Sequence, residues 1–308
     1  MTDGFQRYLR AKRTVDDRSL DRRLVEQLRE RLASRNEASE GPLCVLEIGA
    51  GIGTMVTRFL EWDVLPAGEI RYTAVDLESD NVTELRRHLR AWAEDRPVSV
   101  SGTDVLTLEG PDRRIAVEPV VAEAVAYADR AATASDLLVG AAVLDILELE
   151  ALGPLLGAVA PGGLYYFPIT FDGATRFRPT HPADPDVERR YHDHMDAKPG
   201  GSSQAGGDVL VRLQGMDGVS LLGVAGSDWV VRPVDGSYPG DEAYFLRHIL
   251  ATVEEAVGEI AGEEFEGLEE WLARRRAQVD AGELLYLTHQ LDVLGRVDER
   301  TGVTDTRQ

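Results

Sequence analysis

Three glycines at alternate positions, Gly49, Gly51 and Gly53, directly follow the apolar run Val45-Leu46-Glu47-Ile48, and this arrangement narrows the choice of fold more than any other stretch of the chain. The residues predict a strand running into Gly49, a sharp turn, and a helix opening near Thr54. Glycine tolerates the backbone angles of such a turn and lets a ligand approach the main chain with no Cβ in the way. The pattern is Glu-x-Gly-x-Gly-x-Gly. A dinucleotide fingerprint, Gly-x-Gly-x-x-Gly, would need its third glycine where Thr54 stands. No Lys-Ser or Lys-Thr pair follows, so a P-loop for nucleoside triphosphates is excluded as well.

Around this loop, strand-like and helix-like stretches alternate. Short apolar runs predict strands at 43–48, 70–75, 98–101, 136–139 and 164–171. Helical periodicity or composition marks 54–60, 81–92, 119–132 and 146–159. Alternation repeated this often indicates an α/β protein with a Rossmann-like, doubly wound parallel sheet. Ahead of it, residues 5–35 read as amphipathic helix, with Leu20, Leu24, Leu28 and Leu32 on one face and Asp16 and Asp17 placed to cap its start. Beyond Asp172 the alternation stops. Residues 173–207, rich in Pro, His, Asp and Gly, read as an extended lid, and 208–213 as leading into a strand at 220–231. Helices at 238–259 and 263–279 and a last strand at 283–294 complete the chain, which frays from Asp298. The expected division is a helical cover (1–40), a cofactor-binding core (41–172), a lid (173–207), the rest of the sheet with a helical insert at about 238–279 (208–297), and a tail (298–308).

The glycine loop and the acids after it resemble the class I S-adenosylmethionine-dependent methyltransferases. Glu47, Gly49, Ala50, Gly51 and Gly53 are similar to that family's first motif. The resemblance implies that Glu47 favours the cationic end of the cofactor and that Gly49 to Gly51 lie against its methionine part. It implies that Asp76 takes the ribose hydroxyls, that Leu77 flanks the adenine, and that Asp104 and Val105 meet the adenine amino group. Gly140 and Ala141 fall where the family faces the methyl group, and Pro161-Gly162-Gly163 is similar to its turn before the fifth strand. It further implies a seven-stranded sheet ending in an antiparallel pair, with helical lid insertions, and S-adenosyl-L-methionine as cofactor. No Asn/Asp-Pro-Pro-Tyr/Phe motif follows the fourth strand, where the chain reads Val139-Gly140-Ala141-Ala142, which argues against the DNA and protein-glutamine branches.

Charge sets the outer limits. Asp and Glu number 54 against 33 Lys and Arg, a net charge of -21, and of the basic residues only Lys12 and Lys198 are lysines. A field of this sign opposes capture of nucleic acid or anionic membrane. Abundant carboxylates with almost no lysine fit an acidic, halophilic protein whose self-repulsion is screened by salt. No apolar run is long enough to span a bilayer and the first residues are polar and arginine-rich, so a cytoplasmic location is expected. The lone Cys44 sits in an apolar strand and reads as a small core residue; one cysteine excludes disulfides and cysteine-rich metal sites.

A methyl-transferring enzyme working on a small-molecule acceptor needs orientation more than a catalytic constellation. No catalytic residue is therefore assigned from sequence; Tyr191, His192 and His194 stand out as candidates, with His181 nearby. Two histidines two apart reach one metal only from an extended strand, and no third ligand is evident, so no metal is expected. Arg13 or Arg18, in the most basic region, could meet a carboxylate, and Trp229, Tyr238 and Tyr244 could line an aromatic pocket. The alternatives are a cofactor-binding protein of the same fold with non-methylating chemistry or a regulatory role, and a nicotinamide-dependent oxidoreductase, which the loop disfavours.

Overall fold

A computed structural model describes residues 2–260, 265–299 and 304–305. Two helices, α1 (Thr2–Ser19) and α2 (Arg22–Glu37), precede the sheet. The break between them is set by Asp21, whose carboxylate accepts from the Arg23 and Leu24 amides at 2.9 and 3.0 Å and so caps α2. Asp16 and Asp17, expected as caps, instead lie within α1 and pair with Lys12 and Arg58.

The sheet then builds outward from its centre. Strand β1 (Leu43–Ile48) leads through the glycine loop to α3 (Thr54–Glu61), β2 (Gly68–Asp76) and α4 (Ser79–Ala93). A hairpin of β3 (Ser99–Ser101) and β4 (Leu106–Glu109) follows, then β5 (Arg113–Val121), α5 (Ala124–Ala128) and β6 (Ser135–Gly140). Past the short α6 (Leu152–Gly157), β7 (Val159–Arg178) crosses the whole sheet. The remainder is α7 (Asp184–Ala197), α8 (Ala205–Gln214), the two-residue β8 (Met216–Asp217), β9 (Val219–Gly226), β10 (Trp229–Val231), α9 (Glu242–Ile260), α10 (Leu268–Asp280) and β11 (Leu285–Val297).

The strand order is β10-β11-β7-β6-β1-β2-β5-β4-β3, with β9 also paired to β11. From β7 to β5 the pairings are parallel, and β11 runs antiparallel to both β7 and β10. Seven of the ten strands thus follow the doubly wound plan; β3, β4 and β9 are additions. The chain winds one way from β1 to β5 and the other way from β6 to β7, so the switch point lies between β1 and β6, where such sheets open a ligand crevice.

Several elements depart from expectation for identifiable reasons. The third parallel strand is β5, not 98–101, and the helix expected over 119–132 shrinks to α5. Ile115, Val117 and Pro119 alternate inward along β5, a period of two that continues the strand past the expected helix start. Val98 to Ser101 is too polar for a sheet covered on both faces and forms the outer strand of the hairpin. Pro154 delays the helix expected from 146, leaving two single 3₁₀ turns at Leu144–Ile146 and Leu149–Ala151 before α6. The expected extended lid is mostly ordered structure: β7 continues to Arg178, and α7 starts with Pro185 in its first turn. Residues 208–213 are helical, within α8. The sixth strand breaks between β9 and β10 where Asp228 accepts from the Gln290 amide. The expected start of the second insert helix at Glu263 lies outside the described residues, as does most of the tail.

Candidate functional site

All three loop glycines hold left-handed angles, with φ of 61° at Gly49, 53° at Gly51 and 79° at Gly53. Each faces a different neighbour. A Cβ on Gly49 would fall 2.9 Å from Val143, one on Gly51 3.3 Å from Leu9, and one on Gly53 2.8 Å from Leu85. The loop is therefore pressed between the turn after β6, helix α1 and helix α4, and its exposed edge opens into a cavity of about 550 Å³. That cavity sits at the carboxyl ends of β1, β2, β5 and β6 and runs under α1 and α7.

Asp76, at the end of β2, fixes the near corner. Its Oδ2 accepts from the Gly51 amide at 2.7 Å, and its Oδ1 accepts from the Glu78 amide and from Asn81 Nδ2 at 2.9 and 3.0 Å. Asn81 in turn accepts from Gln6 Nε2 at 2.9 Å, which ties α1 to this corner. A carboxylate held by three donors is fixed in place, and one lone-pair site, on Oδ2, is left over in a residue that lines the cavity. Beside it Leu77 is 65% exposed, an unusual state for a leucine next to a cleft and one suited to covering a flat ring. Opposite stand Ala122 and Glu123, after β5. Glu123 accepts from the Val125 and Ala126 amides, so its carboxylate is fixed at the start of α5.

Glu47 marks the deep end. It is 1% exposed, accepts from the Tyr72 hydroxyl at 2.7 Å, and is raised by burial to about 8. A buried carboxyl of this kind keeps its proton at neutral pH until a cation arrives. Arg58 lies in the same wall, 1% exposed; its Nε donates to Asp17 at 2.6 Å, and its Nη2 is buried without a hydrogen-bond partner among the described residues. Lys12, from α1, reaches the cavity with its ammonium 2.7 Å from Asp16 and 5.0 Å from the Trp229 ring.

The far wall includes Ile169, whose φ of 59° is rare for a β-branched residue. The buried carboxylate of Asp292 holds it there, accepting from the Ile169 amide at 2.9 Å and from the Asp21 amide at 2.9 Å. Strain of this kind is found where a site is being shaped.

Of the residues singled out from sequence, Glu47, Gly49, Ala50, Gly51, Asp76, Leu77 and Tyr191 line the cavity. Gly53 and Gly140 do not; they are packing glycines, and a Cβ on Gly140 would meet Val143, Phe167 and Ile48 at 3.0 to 3.3 Å. Ala141, Ala142 and Val143 face the cavity in its place. Asp104 and Val105 belong to the β3–β4 turn and do not line the cavity, a direct result of the misplaced third strand. Ala122 and Glu123 occupy the corresponding position; the alternation Ile115, Val117, Pro119 was the signal for it.

His192 and His194 also point away. His192 contacts Thr175 at 3.0 Å and His194 contacts Glu259 at 2.6 Å. Both are on helix α7, where residues two apart diverge, and among the described residues no cluster could hold a metal ion. Arg13 pairs with Glu61, and Arg18 with the buried Glu242. Trp229 lines the cavity, whereas Tyr238 and Tyr244 donate to the Leu284 and Gly4 carbonyls.

No family model matches this chain, and no curated protein does. Among solved structures it is similar to a cyclopropane synthase from Mycobacterium tuberculosis, at 13% identity over 88% of this chain and 82% of that one, with a TM-score of 0.42. It is similar to a SAM-dependent methyltransferase from Geobacter sulfurreducens in complex with S-adenosyl-L-homocysteine, at 13% identity over 91% and 92%, with a TM-score of 0.41. Coclaurine N-methyltransferase bound to N-methylheliamine and SAH is a third, at 13% identity over 88% and 72%, with a TM-score of 0.41. Values of this size leave the chemistry to be read from the cleft.

Proposed function

We propose that this chain is an S-adenosylmethionine-dependent methyltransferase that acts on a small-molecule acceptor. The observation that carries the reading is a pair of carboxyl groups, Glu47 and Asp76, lining the cavity on either side of a glycine loop at the switch point of a doubly wound sheet. The Asp76 carboxylate beside the loop opposes a pyrophosphate, and Glu47, protonated until a cation arrives, suits a phosphate-free nucleoside carrying a cationic chain.

The residues present fit such a ligand end to end. Asp76 offers its one remaining lone-pair site, on Oδ2, to a ribose hydroxyl, with Leu77 on one side of the base and Ala122 and Glu123 at its edge. At the other end Glu47 answers an ammonium, and Arg58 Nη2, which has no hydrogen bond among the described residues and lies 3.8 Å from Asp16, is the cation nearest a ligand carboxylate in that wall. When bound, the cofactor supplies an electrophilic methyl group on a sulfonium. The chain's own part is to hold an acceptor in line with that group and to keep water out. Orientation of this sort can supply on the order of 7–11 kcal/mol of barrier reduction. Helix α1, roofing the glycine loop through Leu9, and Tyr191 of α7 do the enclosing.

The reading extends to the setting. The charge of -21 disfavours nucleic acid and anionic lipid as partners, and no helix among the described residues is long and apolar enough to cross a membrane. An acidic, lysine-poor surface suits a salt-rich cytoplasm.

Calorimetry in molar salt with S-adenosylmethionine, S-adenosylhomocysteine and NAD tests the proposal. The first two should bind and NAD should not; preference for NAD would end it. Transfer of a labelled methyl group into a metabolite extract tests the enzymatic half, and tight cofactor binding with no release of S-adenosylhomocysteine would mark a non-methylating relative.

A further inference from the structure

The half of the cavity remote from Asp76 has a chemistry of its own. Tyr8 from α1, Tyr191 from α7 and Tyr286 from β11 converge there with Asp145, which sits on the 3₁₀ turn after β6. None of these three phenol hydroxyls has a hydrogen-bond partner among the described residues, and Asp145 Oδ1 is buried without one. The other charges of this wall are already matched. Lys12 is held by Asp16, which also accepts from the Trp229 indole, and Arg58 is held by Asp17. Among the described residues Asp145 has no cation within salt-bridge distance; Lys12 acts on it only from further off. A carboxylate with one buried oxygen that no donor reaches is costly, and the cost is relieved by a ligand cation, which aromatic faces also attract.

We propose that this chamber takes an amine as the methyl acceptor, its ammonium form seated on the Asp145 carboxylate and walled by the rings of Tyr8, Tyr191 and Tyr286. The proposal rests on the methyltransferase reading and adds the class of acceptor to it. Entry as R–NH3+ lets one N–H proton pass to Asp145, which frees the nitrogen lone pair. That pair forms the N–C bond to the methyl group as the C–S bond breaks, its electrons remaining on sulfur. The methylated ammonium departs, and Asp145 returns its proton to solvent. Burial raises the Asp145 carboxyl above the usual carboxylate range, with a hydrogen bond from its own backbone amide and then the more distant Lys12 pulling the other way, and a raised value suits a proton acceptor.

The test uses the full chain saturated with S-adenosylhomocysteine and two probes of nearly equal shape, benzylamine and benzyl alcohol. Benzylamine should bind about tenfold more tightly or better, as expected when a charged hydrogen bond replaces a neutral one. Asp145→Asn should remove most of that advantage and leave the affinities for benzyl alcohol and S-adenosylhomocysteine unchanged, the latter showing that the fold is intact. Tyr191→Phe, which keeps the ring, should retain the preference, and Tyr191→Leu should reduce it. Equal binding of the two probes by the native chain, or an Asp145→Asn variant that still prefers the amine, would overturn the proposal. A chain that prefers benzylamine yet does not bind S-adenosylhomocysteine would sink the cofactor reading and leave the cation site standing.

Discussion

Glu47 is the side chain whose protonation the cleft controls most directly. Its carboxyl is raised from an ordinary 4.5 to about 8 by burial, so between those values the folded chain keeps a proton that the unfolded chain has lost. Stability from this group is therefore greatest at low pH and falls as pH rises from about 4.5 through about 8; Glu47→Gln should flatten that slope in urea unfolding. A bound ammonium lowers the value again, so cofactor binding near pH 7 should release close to one proton. Calorimetry in buffers of different ionisation heat would show it, and Glu47→Gln should abolish it. Asp76→Ala should weaken S-adenosylhomocysteine by about 1–3 kcal/mol. It should also lower the melting temperature, because the Gly51 and Glu78 amides and Asn81 lose their shared acceptor. Glu47, the loop glycines and Asp76 were legible because a strand end, a turn and a helix start all leave local marks. Asp145 was not, since its role arises from what fails to pair with it across the fold.

At the scale of elements, helix α1 forms much of the cover of the cleft. Five of its residues, Phe5, Tyr8, Leu9, Lys12 and Asp16, line the cavity, and Gln6 grips the Asn81 that steadies Asp76. Occupancy of the ribose corner should therefore be felt by α1, and hydrogen exchange over Thr2–Ser19 should slow when S-adenosylhomocysteine is added. Gln6→Ala should reduce that protection and cost about 0.5–1.5 kcal/mol of ligand affinity, read by exchange and calorimetry. The central strands were marked by their apolar runs, the corner by its three glycines, and helices α3, α4 and α9 by helical periodicity or composition, signals that burial and a tight turn impose. The β3–β4 hairpin and β5 did not: a short polar strand and a proline-bearing one carry opposing signals, and only the pairing of β5 with β2 settles them. The order in residues 173–207 was hidden for a similar reason, as α7 gains its stability by packing on α9 and not from its own polar sequence.

For the whole molecule, repulsion at a net charge of -21 works against ion pairs that join α1 to its neighbours, such as Arg7 with Asp241 and Arg10 with Glu84. Exposed pairs contribute about 0–1 kcal/mol each, whereas repulsion acts between all the carboxylates at once, so screening should favour the folded state. The melting temperature should climb as potassium chloride is raised from 0.1 M to 2 M; a flat or falling curve would contradict the halophilic reading. The crowding around Gly140, with three side chains within 3.3 Å of where a Cβ would be, bears on how the cleft can be altered. Its floor is tightly filled, since a larger residue there must push aside the side chains of Val143, Phe167 and Ile48. Its ceiling is borrowed from helices that the strands do not need for their pairing. New acceptors are therefore reached by rewriting Tyr8, Tyr191 and their neighbours overhead, and directed evolution should find its gains there while the strand ends stay untouched.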